Sequence, residues 1–267
     1  NNLCRGKFKN GRRPILINNW EATYFDFNGE KLISIAEEAA KLGIEMLVMD
    51  DGWFGKRDFD ESGLGDWFPN EEKLGMSLHE LIQGVKKKGL SFGIWMEPEM
   101  VNEDSRLYRE HPDWAITLPG REPGRGRCQL VLDLGRECVR EYLYQAICGI
   151  LDTGDISYVK WDMNRSISDM YNPELAPEQQ GEAGHRYVLG LYELLERITQ
   201  RYPNVLFEGC SGGGGRFDAG MLYYSPQIWC SDDTDAIERL KIQYGTSFGY
   251  PISTVGSHVS ACPNHQN

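Results

Sequence analysis

The sequence predicts an α/β protein of the (β/α)8 TIM-barrel type, and three observations carry that expectation. Short apolar, β-rich runs alternate with amphipathic helical patterns along the chain. Run after run ends in polar or aromatic residues: Asn19-Trp20, Asp50-Asp51, Trp95, Lys160 with Asp162, Glu208, and Ser231-Asp232. The length, 267 residues, accommodates a barrel of about 250. Strand–helix alternation means a parallel sheet. Chemistry spread over many strand ends is the barrel's habit, whereas an open doubly wound sheet gathers its site at one switch point.

In chain order the strand-like runs are 15–20, 45–50, 91–96, 129–133, 157–162, 204–210, 227–231 and 252–256. Helical spacing falls between them. The segment 31–42 puts Leu32, Ile35, Ala36 and Ala39 on one face, and 78–90 does the same with Leu81, Ile82 and Val85. The segments 137–151 and 183–202 are longer and also amphipathic. Two irregular stretches, 54–77 and 118–127, are candidates for pocket-shaping loops. No internal repeat, low-complexity tract or linker interrupts the pattern.

Composition narrows the function classes. The 28 Lys and Arg stand against 40 Asp and Glu, a net charge of −12, which argues against nucleic acid as the main partner. Only 5–13 (RGKFKNGRR) is locally basic, and it reads as a solvated leading segment. No apolar run reaches the roughly 18 residues of a membrane span, and no signal-peptide pattern opens the chain. Without an initiator Met, the expectation is a piece of a longer polypeptide. Seven cysteines, an odd number with no CxxC pair, argue against a disulfide framework and a zinc ribbon, and point to a reducing cytoplasm. Cys262 and His265 form an isolated CxxH that reads as no metal site.

Several residues could carry chemistry. In Lys160-Trp161-Asp162-Met163-Asn164, strand alternation turns Lys160, Asp162 and, if the strand continues, Asn164 to one face. A neighbouring Lys favours the ionised carboxylate, which can act as nucleophile or electrostatic stabiliser; the same pattern also makes a structural ion pair. After 227–231 come Asp232, Asp233 and Asp235. Asp235 suits a helix N-cap. Asp232, nearest the strand, is best placed to enter a site, and crowding among carboxylates favours the protonated form a general acid needs.

Asp50 and Asp51 end another strand and could hold a cation or accept hydrogen bonds from hydroxyls. With Trp20, Trp53, Trp67, Trp95 and Trp161 near strand ends or loops, sugar is the better match, since a pyranose offers a hydroxyl rim and an apolar face. A metal wants more converging ligands, so neither a metal nor another cofactor is expected. The run EGCSGGGGR (208–216) matches no phosphate-binding pattern. Its glycines let backbone approach a compact ligand, and Cys210, with no nearby His, reads as pocket wall rather than nucleophile.

Five motifs, LVMDDGWFG (47–55), GIWMEPEMV (93–101), VKWDMNR (159–165), FEGCSGGGGRFD (207–218) and WCSDDTDA (229–236), together resemble the bacterial α-galactosidases of glycoside hydrolase family 36, in family order and over essentially the whole chain. The resemblance implies a retaining glycosidase for terminal α-linked galactose, on oligosaccharides such as melibiose and raffinose. It implies Asp162 as nucleophile and Asp232 as acid/base, with the two carboxyls about 5–5.5 Å apart. It assigns Trp20 and Trp95 to aromatic walls, and Asp50 and Asp51 to the sugar hydroxyls opposite the reacting carbon. Arg127, Lys160 and Asn164 surround the ring, and Cys210 and Gly212 line the 2-hydroxyl side. Glu208 and Arg216 lie in the same motifs.

Alternatives are a galactosyl transferase, an α-N-acetylgalactosaminidase (for whose 2-acetamido group Cys210 leaves little room), and an inactive sugar-binding fragment. Family members carry N- and C-terminal β-domains and tend to tetramerise, and neither domain lies in this sequence. The segment 256–267 resembles the seventh barrel strand and its loop. The expectation is therefore a catalytic barrel truncated before its eighth strand, with 129–133 as an extra strand in the insertion after strand three. Its first and seventh strands would have unpaired edges, and exposed apolar surface would lower its stability.

Overall fold

The computed structural model describes residues 3–260; Cys262 and His265 lie outside them. Six parallel strands form one curled half-barrel. They are β1 (Leu16–Asn18), β2 (Met46–Met49), β3 (Ser91–Met96), β6 (Ile156–Trp161), β7 (Leu206–Gly209) and β8 (Gln227–Ile228), hydrogen-bonded in that order. The other two strands, β4 (Met100–Val101) and β5 (Leu130–Val131), pair antiparallel as a separate ribbon between β3 and β6. The run 129–133 is thus an insertion, not a barrel stave, a choice the sequence favoured and the pairing decides.

Between the strands lie α1 (Trp20–Thr23), α2 (Gly29–Lys41), α3 (Glu71–Leu74), α4 (Leu78–Lys87), α5 (Arg106–Glu110), α6 (Glu137–Leu151), α7 (Ala183–Arg201), α8 (Ala219–Tyr224) and α9 (Ala236–Ser247). Local chemistry sets their starts. The Asn28 side chain accepts from Lys31 N and caps α2. Ser77 and Glu80 close a reciprocal capping box on α4. Asp235 caps α9 by accepting from Ile237 N and Glu238 N, the role its position suggested.

Strand alternation divides the apolar residues into two cores. The helix-facing set, including Leu47, Met49, Ile94, Val159, Trp161 and Phe207, packs against buried helix faces such as Leu32, Ala36 and Ala39 of α2 and Leu191, Leu194 and Ile198 of α7. A small second cluster, Met46, Val48, Tyr158 and Leu206, fills the concave face. Gly93 belongs to that face. A Cβ there would stand 3.0 Å from both Tyr158 and Val48, so the missing side chain makes room for the tyrosine.

Two expectations need correction. The run 252–256 is a 3-10 turn, Ile252–Thr254, followed by a single parallel bridge between Val255 and Ile228. Pro251 starts that turn, and its carbonyl accepts from the Thr254 backbone and hydroxyl. The run 15–20 stops at Asn18, because the Asn18 side chain accepts from Trp20 N and begins a helix. The stretch 54–77, a candidate pocket-shaping loop, packs inward, with Phe54, Arg57, Leu64 and Trp67 buried within it. At the far side of the sheet α9 buries only Arg239 and exposes Ile237, Leu240, Tyr244 and Phe248.

Helix α7 approaches the sheet insertion through Gly190, where a Cβ would lie 1.9 Å from the Leu134 carbonyl oxygen. Alanine would gain about 1 kcal/mol of helix propensity, but overpacking against backbone costs about 1–3 kcal/mol. At that separation the clash wins. Gly190→Ala is expected to lower stability by roughly 2 kcal/mol, read as a lower urea midpoint; an unchanged or higher midpoint would contradict this packing.

Candidate active site

The concave face turns polar toward the C-terminal ends of the strands. The same-facing series run Leu16–Asn18, Val48–Asp50, Gly93–Trp95–Glu97, Tyr158–Lys160–Asp162 and Leu206–Glu208–Cys210. Register puts Trp95 beside Lys160 and Lys160 beside Glu208. The ladder continues past the strands, with Asp162 N donating to Met96 O and Cys210 N to Trp161 O, both at 2.8 Å.

Asp162 is buried and held by neutral donors only. Its Oδ2 accepts from Trp95 Nε1 and from Asn164 Nδ2, each at 3.0 Å, and its Oδ1 from Met163 N at 2.8 Å. Asp50 Oδ2 accepts from Asn18 Nδ2 at 2.6 Å and from Lys160 Nζ at 3.1 Å. Burial pulls the Lys160 ammonium down, but the carboxylates of Asp50, Asp162 and Glu208 outweigh it and hold its pKa above the usual lysine value. Lys160 Nζ also lies 5.5 Å over the Trp229 ring, whose Nε1 donates to Asp232 Oδ1 at 2.7 Å. Contacts thus run unbroken from Asp50 to Asp232, and Asp232 itself is exposed.

Asp51, close enough to Asp50 and Asp162 to feel their charges, is held in an ion pair. Arg57 grips it through Nε and a terminal nitrogen, the shortest contact being 2.7 Å, and both are buried. Burial raises the Asp51 carboxyl and the Arg57 guanidinium opposes that rise. Glu208 is likewise raised by burial, against a hydrogen bond from Gln227 and the charge of Lys160. Burial, with the carboxylates of Asp162 and Asp232 nearby, drives the Cys210 thiol well above its ordinary value. A thiol so placed is not a nucleophile.

The remaining residues divide. Asn164 is in the cluster. Trp20 stands at the end of β1, tied through Asn18 to Asp50. The Trp95 ring is 2% exposed and reaches the cluster through its N–H. Gly212 is exposed, with open space where a Cβ would be. Arg127 lies apart: it is exposed, in left-handed backbone (φ 53°), and faces Asp60 at 3.9 Å. Trp53, Trp67 and Trp161 are core residues. Trp229, which the sequence reading passed over, joins Lys160 to Asp232; its place at a strand end beside the acidic run was the available signal.

The glycine-rich loop serves a close backbone contact. A Cβ on Gly213 would fall 2.9 Å from Asp232 N, and one on Gly214 2.4 Å from Cys230 O. The loop after β7 is thereby laid on the segment carrying Asp232. Its far end is fixed by Arg216, whose two terminal nitrogens donate to the fully buried Glu99 at 2.9 and 2.8 Å. Glu99 also accepts from Trp161 Nε1 at 2.9 Å and from Tyr187 OH at 2.6 Å. Among the described residues no group of three or more His, Cys, Asp or Glu is placed to hold a metal ion, no helix is long and apolar enough to cross a membrane, and the cysteines are free thiols.

A parallel half-barrel with carboxylates, amides and indoles gathered on its C-terminal rim places its polar groups where barrel-type α/β proteins carry their sites. The family model described as Melibiase matches residues 1–267, and the chain belongs to that family. It is 61% identical over 266 residues to the bifunctional alpha-galactosidase/sucrose kinase AgaSK of Mediterraneibacter gnavus, covering 100% of this chain and 28% of that protein. It is 59% identical to the alpha-galactosidase AgaA of Geobacillus stearothermophilus, covering 99% of this chain and 36% of that protein. The solved structure of that GH36 enzyme superimposes with a TM-score of 0.96 at 58% identity, over 98% of this chain and 37% of its own. AgaA variants have also been solved with raffinose and with stachyose. The chain therefore spans only about a third of the relatives it matches.

Two outcomes follow from this geometry. Glu99→Met would strand the Arg216 guanidinium and cost about 3–5 kcal/mol, read by urea unfolding. Adding Arg216→Met should recover most of that loss, and a double variant no better than the single one would contradict the pairing. Iodoacetamide at mildly alkaline pH should leave Cys210 unmodified in the folded chain while alkylating the exposed Cys128 and Cys138, as peptide mass mapping would reveal.

Proposed function

We propose that this chain is the catalytic-barrel portion of a retaining α-galactosidase that releases terminal α-linked galactose from oligosaccharides of the raffinose and stachyose kind. The observation that carries the reading is Asp162: a buried carboxylate at a strand end, in no ion pair among the described residues, held by three neutral donors. Family membership and the relatives' named activities support the substrate class. The half-barrel is read as part of a (β/α)8 barrel, and free thiols favour a reducing compartment.

In this mechanism Asp162 attacks the anomeric carbon while Asp232 protonates the departing glycosidic oxygen. The bond to the leaving sugar breaks, and a galactosyl ester forms on Asp162. Asp232, now a carboxylate, takes a proton from water as that water displaces the ester and returns the α-anomer. Trp95 and Asn164 orient Asp162 and preserve its nucleophilic lone pairs. Asp50, with Lys160 beside it, accepts hydrogen bonds from the sugar hydroxyls, and Trp20 offers its ring as a wall. Asp232 is the exposed member of the pair, as a group serving both a leaving sugar and water should be.

Asp162→Ala should abolish turnover of an aryl α-galactoside. Asp232→Ala should slow natural oligosaccharides by roughly 10²–10⁴-fold, the usual contribution of general acid catalysis, while sparing substrates with good leaving groups. Equal losses on both substrate types would remove Asp232 from this role. Proton NMR of the first sugar released should detect α-galactose; β-galactose first would overturn the covalent intermediate.

A further inference from the structure

Glu97 has no part in the mechanism above, yet it sits beside its centre. It is fully buried directly after β3, on the same face as Trp95. Its Oε1 accepts from the Asn164 backbone N–H at 2.5 Å. The side chain of that same Asn164 donates to Asp162 Oδ2. Glu97 Oε2 finds no hydrogen-bond partner among the described residues. A buried carboxylate with one bare oxygen carries a large desolvation cost, which the neutral form avoids.

We propose that Glu97 is a positioning residue for the nucleophile: its carboxyl fixes the Asn164 backbone so that the Asn164 amide is aimed at Asp162. The proposal rests on the galactosidase reading for its effect on turnover, but not for its effect on Asn164. Two ionisable groups face Glu97 from the elements around it. Asp162, after β6, opposes a second negative charge, and Arg57, from the loop after β2, is already matched by Asp51. Burial first, and the Asp162 charge second, raise the Glu97 pKa to about 8. Below that value Glu97 is neutral and Asp162 is the sole charge of the pair. Above it two carboxylates repel each other while the Asn164 hydrogen bonds favour the charged Glu97, so the balance of contacts at Asn164 changes.

The linkage has a definite sign. A carboxyl raised from 4.5 to about 8 holds its proton longer in the folded chain than in the unfolded one. Its contribution to stability is full below 4.5 and is lost as the pH rises through about 8.

The test compares the wild-type chain with Glu97→Gln, an amide that keeps an acceptor for Asn164 N and cannot ionise. With asparagine labelled with nitrogen-15, the Asn164 backbone and side-chain signals should move together near pH 8 in the wild type and stay still in Glu97→Gln. Activity on an aryl α-galactoside should fall across the same range in the wild type, and that alkaline fall should shift or vanish in Glu97→Gln. Glu97→Ala should lose turnover on the order of a hundredfold, as a misplaced catalytic group does. Asn164 signals that ignore pH near 8, or the same alkaline fall in both proteins, would overturn the proposal. The labelled-asparagine experiment needs no turnover, so a chain that fails to hydrolyse galactosides would count against the galactosidase reading alone.

Discussion

A β-strand sends every second side chain to the same face, and here parallel strands stand in register around one concave surface. That constraint organises the molecule. Apolar residues low on each strand, Val48, Tyr158 and Leu206, fill the bottom of the curve. Two residues further on, the same face carries Asp50, Lys160 and Glu208, and two further still Asp162 and Cys210. A shift of one residue in any strand would exchange these groups with helix-facing residues such as Trp161 and Phe207. The site is the upper edge of the same packing that makes the core.

Charge at that edge is distributed unevenly. Asp51 is neutralised by Arg57, Glu99 by Arg216, and Asp50 shares Lys160. Asp162 is given neutral donors instead. An ion pair would stabilise the carboxylate but make its lone pairs costlier to use. Neutral donors orient it at less expense, with Lys160 supplying a field from beside Asp50 rather than a direct contact. Glu99 meanwhile ties β6, α7 and the glycine-rich loop to one buried anion. Such a network fixes geometry more than it adds stability.

The glycines after β7 illustrate how a correct sequence signal can have a different cause. The cluster implies close approach of backbone. The approach at Gly213 and Gly214 is to Cys230, Ser231 and Asp232, and only Gly212 faces open space. Two segments of the C-terminal rim are thus locked together by missing side chains, so that the exposed Asp232 stands on a supported loop.

Period and punctuation in the sequence were enough for the strand–helix alternation, the buried helix faces, the capping role of Asp235 and the shared face of Lys160 and Asp162, because all are local. The chain motifs likewise pointed to the Melibiase family. Pairing was not local. That 129–133 leaves the sheet to join Met100–Val101, that 252–256 contributes only one bridge, and that Arg127 faces Asp60 depend on partners far along the chain. So does the separation of Trp95 and Trp229, which touch the carboxylates, from Trp53, Trp67 and Trp161, which are core. A tryptophan's identity fixes what it can donate. Only the folded neighbourhood sets which acceptor it meets, because burial and hydrogen-bond geometry arise between segments rather than within them.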